Sequence, residues 1–109
     1  MRETLEVPPK YVKISGNTNG DNTLVAAVSG KKIRVLGLSL MSAGTVNLTF
    51  QSGAGGTAIS GAYPLTAQAG MVLPPCALGY METAAGALLN MRLDAGTLVV
   101  GTLTYEERY

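Results

Sequence analysis

A chain of 109 residues lies near the commonest size for one domain, so it has room for a single core and not for two. Hydrophobic residues make up 47% and charged residues only 14%, against about 25% charged in an ordinary soluble domain, so its exposed faces are either Thr, Ser, Asn, Gln and Gly or are hidden against neighbours. A net charge of +1 with a pI of 7.8 argues against nucleic acid as a main partner, which requires a basic stripe, and no apolar run approaches the roughly 20 residues of a membrane-spanning helix.

Residues 1–10 form the first segment. Arg2, Glu3, Glu6 and Lys10 put charge where a signal peptide needs an apolar stretch, which points to a chain made and kept in the cytoplasm. Leu5 and Val7 are isolated apolar residues two apart, and Pro8-Pro9 favours extended backbone and cannot continue a helix. The segment is either a frayed terminus or an arm that leaves the domain of residues 11–109 and lies along a neighbouring subunit or the surface on which the domain sits, adding main-chain hydrogen bonds to an exposed sheet edge. Arg2, Glu3, Leu5, Val7, Pro8 and Pro9 are the candidate partner-binding residues.

Beyond the arm, 14 glycines and 5 prolines cut the chain into apolar runs too short for amphipathic helices, the spacing of an all-β fold. Val12 and Ile14 alternate with Tyr11, Lys13 and Ser15 in a first strand, and residues 16–22 form an Asn- and Gly-rich loop. Thr23 to Val28 is a second strand, followed by a turn carrying Lys31, Lys32 and Arg34. In Lys32 to Ser42, Ile33 and Val35 are in one phase and Leu36, Leu38 and Leu40 in the other. That predicts a β-bulge near Gly37, of the kind that bends a long strand between two sheets. Ser42-Ala43-Gly44 reads as a hairpin turn into Thr45–Gln51, where Val46, Leu48 and Phe50 face the core.

Residues 52–56 (SGAGG) are a flexible tip. Ala62 to Thr66, Gly70 to Leu73 and Tyr80 to Thr83 are short strands, and Leu89, Met91 and Leu93 alternate with Asn90, Arg92 and Asp94. Ala95-Gly96 is a second hairpin turn, into Thr97–Glu106, with Glu106 and Glu107 assigned to the tail. The sum is a single antiparallel β-sandwich of about eight strands, jelly-roll-like, with Val46, Leu48, Phe50, Leu89, Met91, Leu93 and Leu103 in its core.

The chemistry read from the residues is mostly negative. There is no histidine, which removes Ser-His-Asp and Cys-His arrangements and His-assisted metal sites. Cys76 has no second cysteine to pair with and lies in an apolar stretch that suggests a buried or half-buried thiol. Ser29-Gly30-Lys31-Lys32 spells Ser-x-x-Lys, but in a strand-turn-strand context, and the Walker pattern fails at Val25 and Lys32. The carboxylates are scattered, with no glycosidase dyad. Asn17, Asn19 and Asp21 bring one carboxylate to a loop better read as an Asx turn than a calcium site. Asn47-Leu48-Thr49 is a sequon with no secretory signal. No enzyme activity, cofactor or metal is expected.

The blocks Ser29-Gly30-Lys31-Lys32-Ile33-Arg34-Val35-Leu36, Val46-Asn47-Leu48-Thr49-Phe50-Gln51-Ser52-Gly53, Gly61-Ala62-Tyr63-Pro64-Leu65 and Gly79 to Asn90, closed by Gly101-Thr102-Leu103-Thr104-Tyr105-Glu106, together resemble small virion proteins of tailed bacteriophages. The resemblance covers most of residues 23–106 and rests on turn and core residues. It implies a jelly-roll sandwich serving as a capsid decoration (cement) protein of the phage head, located in the virion and assembled in the cytoplasm of the host bacterium. Its implied partners are the major capsid protein or other virion proteins and copies of itself, a trimer first. The alternative is a tail or fibre accessory, or a host-surface carbohydrate-binding module. Low charge argues independently for a homo-oligomer, since uncharged faces are left to be covered.

Overall fold

The two-residue alternation along the chain becomes ten strands among residues 9–109, the part that the computed structural model describes. They are β1 (Lys10–Gly16), β2 (Gly20–Val25), β3 (Lys32–Ser42), β4 (Val46–Ser52), β5 (Thr57–Ala58), β6 (Tyr63–Leu65), β7 (Gly70–Leu73), β8 (Met81–Glu82), β9 (Leu89–Leu93) and β10 (Val99–Arg108). The first sheet runs β1-β10-β3-β7, with β8 also on β3, and the second runs β2-β9-β4-β5, with β6 also on β4. Every pairing is antiparallel.

On the outside of β4 and of β3 the edge strand comes in two pieces. Pro64 sits in β6, where an edge position lets it lack a ladder donor, and Pro74-Pro75 separates β7 from β8. Counting each pair of pieces as one strand leaves eight positions, and the first four strands alternate between the sheets. This is the double Greek-key order of a jelly roll.

Between the sheets the inward residues close one core. Phe50 is fully buried and meets Tyr63 edge-on, with ring centroids 6.3 Å apart, and Ile14, Ile33, Leu48, Leu89, Met91, Leu93, Val99 and Leu103 are equally inaccessible. All seven core residues named from the sequence lie in it.

Several expectations are corrected. Neither Ser42-Ala43-Gly44 nor Ala95-Gly96 is a hairpin turn, because β3 and β4 belong to different sheets, as do β9 and β10. Alternation requires only that both strands bury one face, and two strands facing each other across the core satisfy it as well as two side by side. The two connections instead brace one another at one end of the sandwich. The Ala43 N–H donates to the Leu98 carbonyl at 2.8 Å, and the Asp94 carboxylate accepts from the backbone N–H of Asn47 at 2.8 Å and from its side-chain amide at 2.7 Å. The hairpin that does form joins β4 to β5 through the SGAGG tip, where Gly53 and Gly55 adopt φ of 86° and 63°.

The bulge is present, since the register of β10 on β3 steps from Thr104–Gly37 to Tyr105–Val35 and leaves Leu36 unpaired there. It does not carry β3 into the other sheet. It lets one strand bury Ile33 and Val35 before the step and Leu38 and Leu40 after it. β2 ends at Val25 rather than Val28, β5 was not anticipated, and β1 starts at Lys10, one residue before the expected domain boundary. Glu106 and Glu107, assigned to the tail, are buried residues of β10.

Candidate functional site

Partners in an antiparallel ladder show their side chains on the same face, so the registers give the outer face of the first sheet row by row. One row is Ser15, Val100, Met41 and Gly70, the next is Lys13, Thr102, Ser39 and Val72, and the third is Tyr11, Thr104 and Gly37. Tyr11 is 76% exposed, Val72 68% and Met41 52%, and Lys13 is the single charge in the three rows.

Across the last two rows runs an open groove of about 260 Å³, bounded by Tyr11 on β1 and by Val72 to Pro75 at the far side, with Thr102, Thr104, Ser39 and Gly37 along its floor. Gly37 is what lets the far wall come close, because a Cβ there would lie 3.0 Å from the Leu73 carbonyl oxygen and 3.2 Å from the Pro75 Cα. The Cys76 N–H, donating to the Leu36 carbonyl at 2.9 Å, pins the two prolines over the bulge, and the Cys76 thiol is half-buried.

Charge collects at the end of the same sheet beyond the bulge. Arg34 lies between Glu82, at 3.0 Å, and Glu106, at 3.7 Å, and Arg108 reaches Glu106 at 3.0 Å. Lys10 holds Glu107 at 2.8 Å, and the hydrogen bond and charge of that carboxylate raise the lysine above its ordinary pKa. Lys31 sits over the ring of Tyr109, 5.0 Å from its centroid. The Lys31, Lys32 and Arg34 cluster is therefore a turn running into a strand, with Arg34 committed to carboxylates.

The outer face of the second sheet differs in kind. Asn90, expected on the wet side, is fully buried, and its side chain donates to Asp21 at 2.9 Å and Gln51 at 2.8 Å while accepting from the Asn22 N–H at 2.9 Å. The β4–β5 tip closes over it, with the Gly55 N–H donating to the Asp21 carboxylate at 3.2 Å and Arg92 3.6 Å from the same carboxylate. Asp21 thus spends its Oδ1 on protein donors. The loop before it is organised by Asn22, whose amide reaches the carbonyls of Thr18, Gly20 and Met91. Among the described residues no three His, Cys, Asp or Glu side chains gather, and every buried side-chain polar atom has a partner.

Of the residues expected to bind partners, Arg2, Glu3, Leu5, Val7 and Pro8 lie outside the described residues. Pro9 is exposed and leads directly into β1, whose Tyr11 forms one side of the groove. The bare face of the first sheet was not singled out from the sequence. Its signal was Tyr11, Val72 and Val100 standing in positions that alternation gives to solvent. Neither models of known protein families nor the curated proteins contain a match to this chain.

Proposed function

We propose that this protein is a non-enzymatic structural subunit of a tailed-phage particle, a capsid decoration protein that stabilises the head by covering protein surface. The observation that carries the reading is the outer face of the first sheet. Tyr11, Met41, Val72 and Val100 are exposed on it beside Thr and Ser, and one lysine is its whole charge over three rows. A contiguous face of this composition suits burial against another protein surface.

Charge usage supports the same reading. The acidic side chains of the described residues are engaged in ion pairs or hydrogen bonds with arginine, lysine or amide groups at the sandwich ends and on the second sheet. The blocks that resemble small virion proteins fall on β3, β4, β6, β8 to β9 and β10, the framework that presents this face.

The test is decoration of heads from the phage that carries the gene, prepared with that gene deleted. The purified chain should sediment with those heads to saturation and raise the temperature at which they rupture. Binding to tails or to host envelope in place of heads would move the protein to a fibre or adhesin role, and binding to none of the three would end the reading.

A further inference from the structure

We propose that the groove on the outer face of the first sheet receives residues 3–7 of a second copy of this chain, so that arms exchanged between copies build the homo-oligomer. This rests on the reading of the protein as an assembling structural subunit, and it names the surface that receives the arm.

Position is the first argument. β1 begins at Lys10 and Tyr11 bounds the groove, so Pro9, the first described residue, stands next to the groove's rim, and eight residues precede it in the sequence. Direction is the second. Pro8 and Pro9 fix φ and hold the residue before each of them extended, while Lys10 is already bound into β1 opposite Tyr105 and tied to Glu107. That chemistry favours an arm that continues away from its own sheet and reaches a neighbour over one that turns back onto its own groove.

Length is the third. The groove crosses the four strands β1, β10, β3 and β7, about 14 Å at the usual strand spacing, and five extended residues cover about 16 Å. Chemistry is the fourth. Among the described residues no charged side chain lines the groove, Leu5 and Val7 would share one face of an extended segment, and the acidic Glu3 and Glu6 are opposite in charge to Lys13, the one charge in the two rows that the groove crosses. The floor hydroxyls of Thr102, Thr104 and Ser39 supply hydrogen-bonding partners to the main chain that crosses them. The open edge of β1 is the poorer acceptor, since Lys10 and Lys13 stand exposed along it, the arrangement that discourages strand addition.

The experiment uses full-length chains in sedimentation equilibrium. The natural protein should weigh a multiple of 11.2 kDa. An arm variant, Leu5→Asp with Val7→Asp, and a groove variant, Val72→Lys, should each sediment as an 11.2 kDa monomer while keeping the dichroism spectrum and melting temperature of the natural chain. Thr102→Lys replaces Val72→Lys if the latter fails to fold. Mixed one to one, the two variants should associate, because one supplies an intact arm and the other an intact groove, and the product should stop at a one-way dimer.

A natural chain that is monomeric at millimolar concentration overturns the proposal, as does a variant that stays oligomeric alone or a mixture that stays monomeric. Head decoration is read separately. An oligomer that obeys the mixing rule but ignores heads rejects the phage-head role and leaves arm exchange standing, and decoration by a chain that fails the mixing rule does the reverse.

Discussion

At the centre of the second sheet Asn90 lies opposite Gln51, fully buried under Asp21 and the β4–β5 tip, with every polar atom bonded. At the centre of the first sheet the matching positions are Thr102 and Ser39, exposed and flanked by Val72, Val100 and Met41. The same fold therefore finishes one outer face with its own side chains and leaves the other open. A buried amide is tolerated only with its partners in place, so the second face is fixed in one arrangement. A face of hydroxyls and apolar side chains has no such obligation and is free to match another surface.

Substitutions can break this contrast, and the largest effect should come from the core that both faces share. Phe50→Ala should cost about 3 to 5 kcal/mol, because the ring is fully buried and a cavity would remain. Urea unfolding measures it, and a cost well under 1 kcal/mol would mean that the ring is not where the alternation puts it.

Next comes the contrast itself. Asn90→Leu removes the acceptor of the Asn22 N–H and the donor to Asp21 and Gln51, at about 0.5 to 1.5 kcal/mol for each bond, since Asn22 and Gln51 are half-buried and Asp21 is exposed. Thr102→Val at the corresponding site of the first sheet should change stability by no more than about 0.5 kcal/mol. Equal losses at the two positions would erase the distinction between a closed face and an open one. Smaller still in stability, and larger in association, is Val72→Lys. It should leave the unfolding midpoint within about 0.5 kcal/mol of the natural chain while abolishing oligomers and head decoration together.

How much of this could be read from the sequence differs between elements for physical reasons. β3 and β7 were placed to the residue because apolar runs bounded by Gly, Pro and turn residues mark both ends. The bulge was legible because Ile33 and Val35 break phase with Leu38 and Leu40, and phase is a local property. Sheet membership was not, because Ser42-Ala43-Gly44 and Ala95-Gly96 owe their arched paths to each other, through Ala43 and Leu98 and through Asn47 and Asp94, across distances in sequence that no local pattern reports. Asn90 was misplaced for the same reason. Its period puts it on the outside of β9, correctly, and only the tip and Asp21, brought from elsewhere, take it out of water. The open face was visible only as apolar residues in solvent phase, a signal that gains meaning once the rows are assembled.

The pH dependence of stability should separate the two ends of the molecule, with the smallest effects of all. Asp94 is held below its ordinary pKa first by the Asn47 backbone N–H and then by the Asn47 side-chain amide. A carboxylate depressed in the folded state stabilises fully above its unfolded pKa, near 3.9, and that contribution fades as the pH falls through the folded value. Lys10 behaves oppositely. Raised by Glu107, it stabilises fully below its unfolded pKa, about 10.4, and the contribution fades as the pH rises through the folded value. Both groups stand in solvent, so each effect is small and screened by salt. In urea midpoints measured across the pH range, Asp94→Asn should flatten the fall below about pH 4 and leave the alkaline limb untouched, and Lys10→Met should flatten the fall above about pH 10 and leave the acid limb untouched. An acid limb unchanged by Asp94→Asn would mean that the two arched connections are not joined through Asn47 in solution. A Lys10→Met variant that kept its alkaline loss would mean that the start of β1 is not clasped to the end of β10 through Glu107.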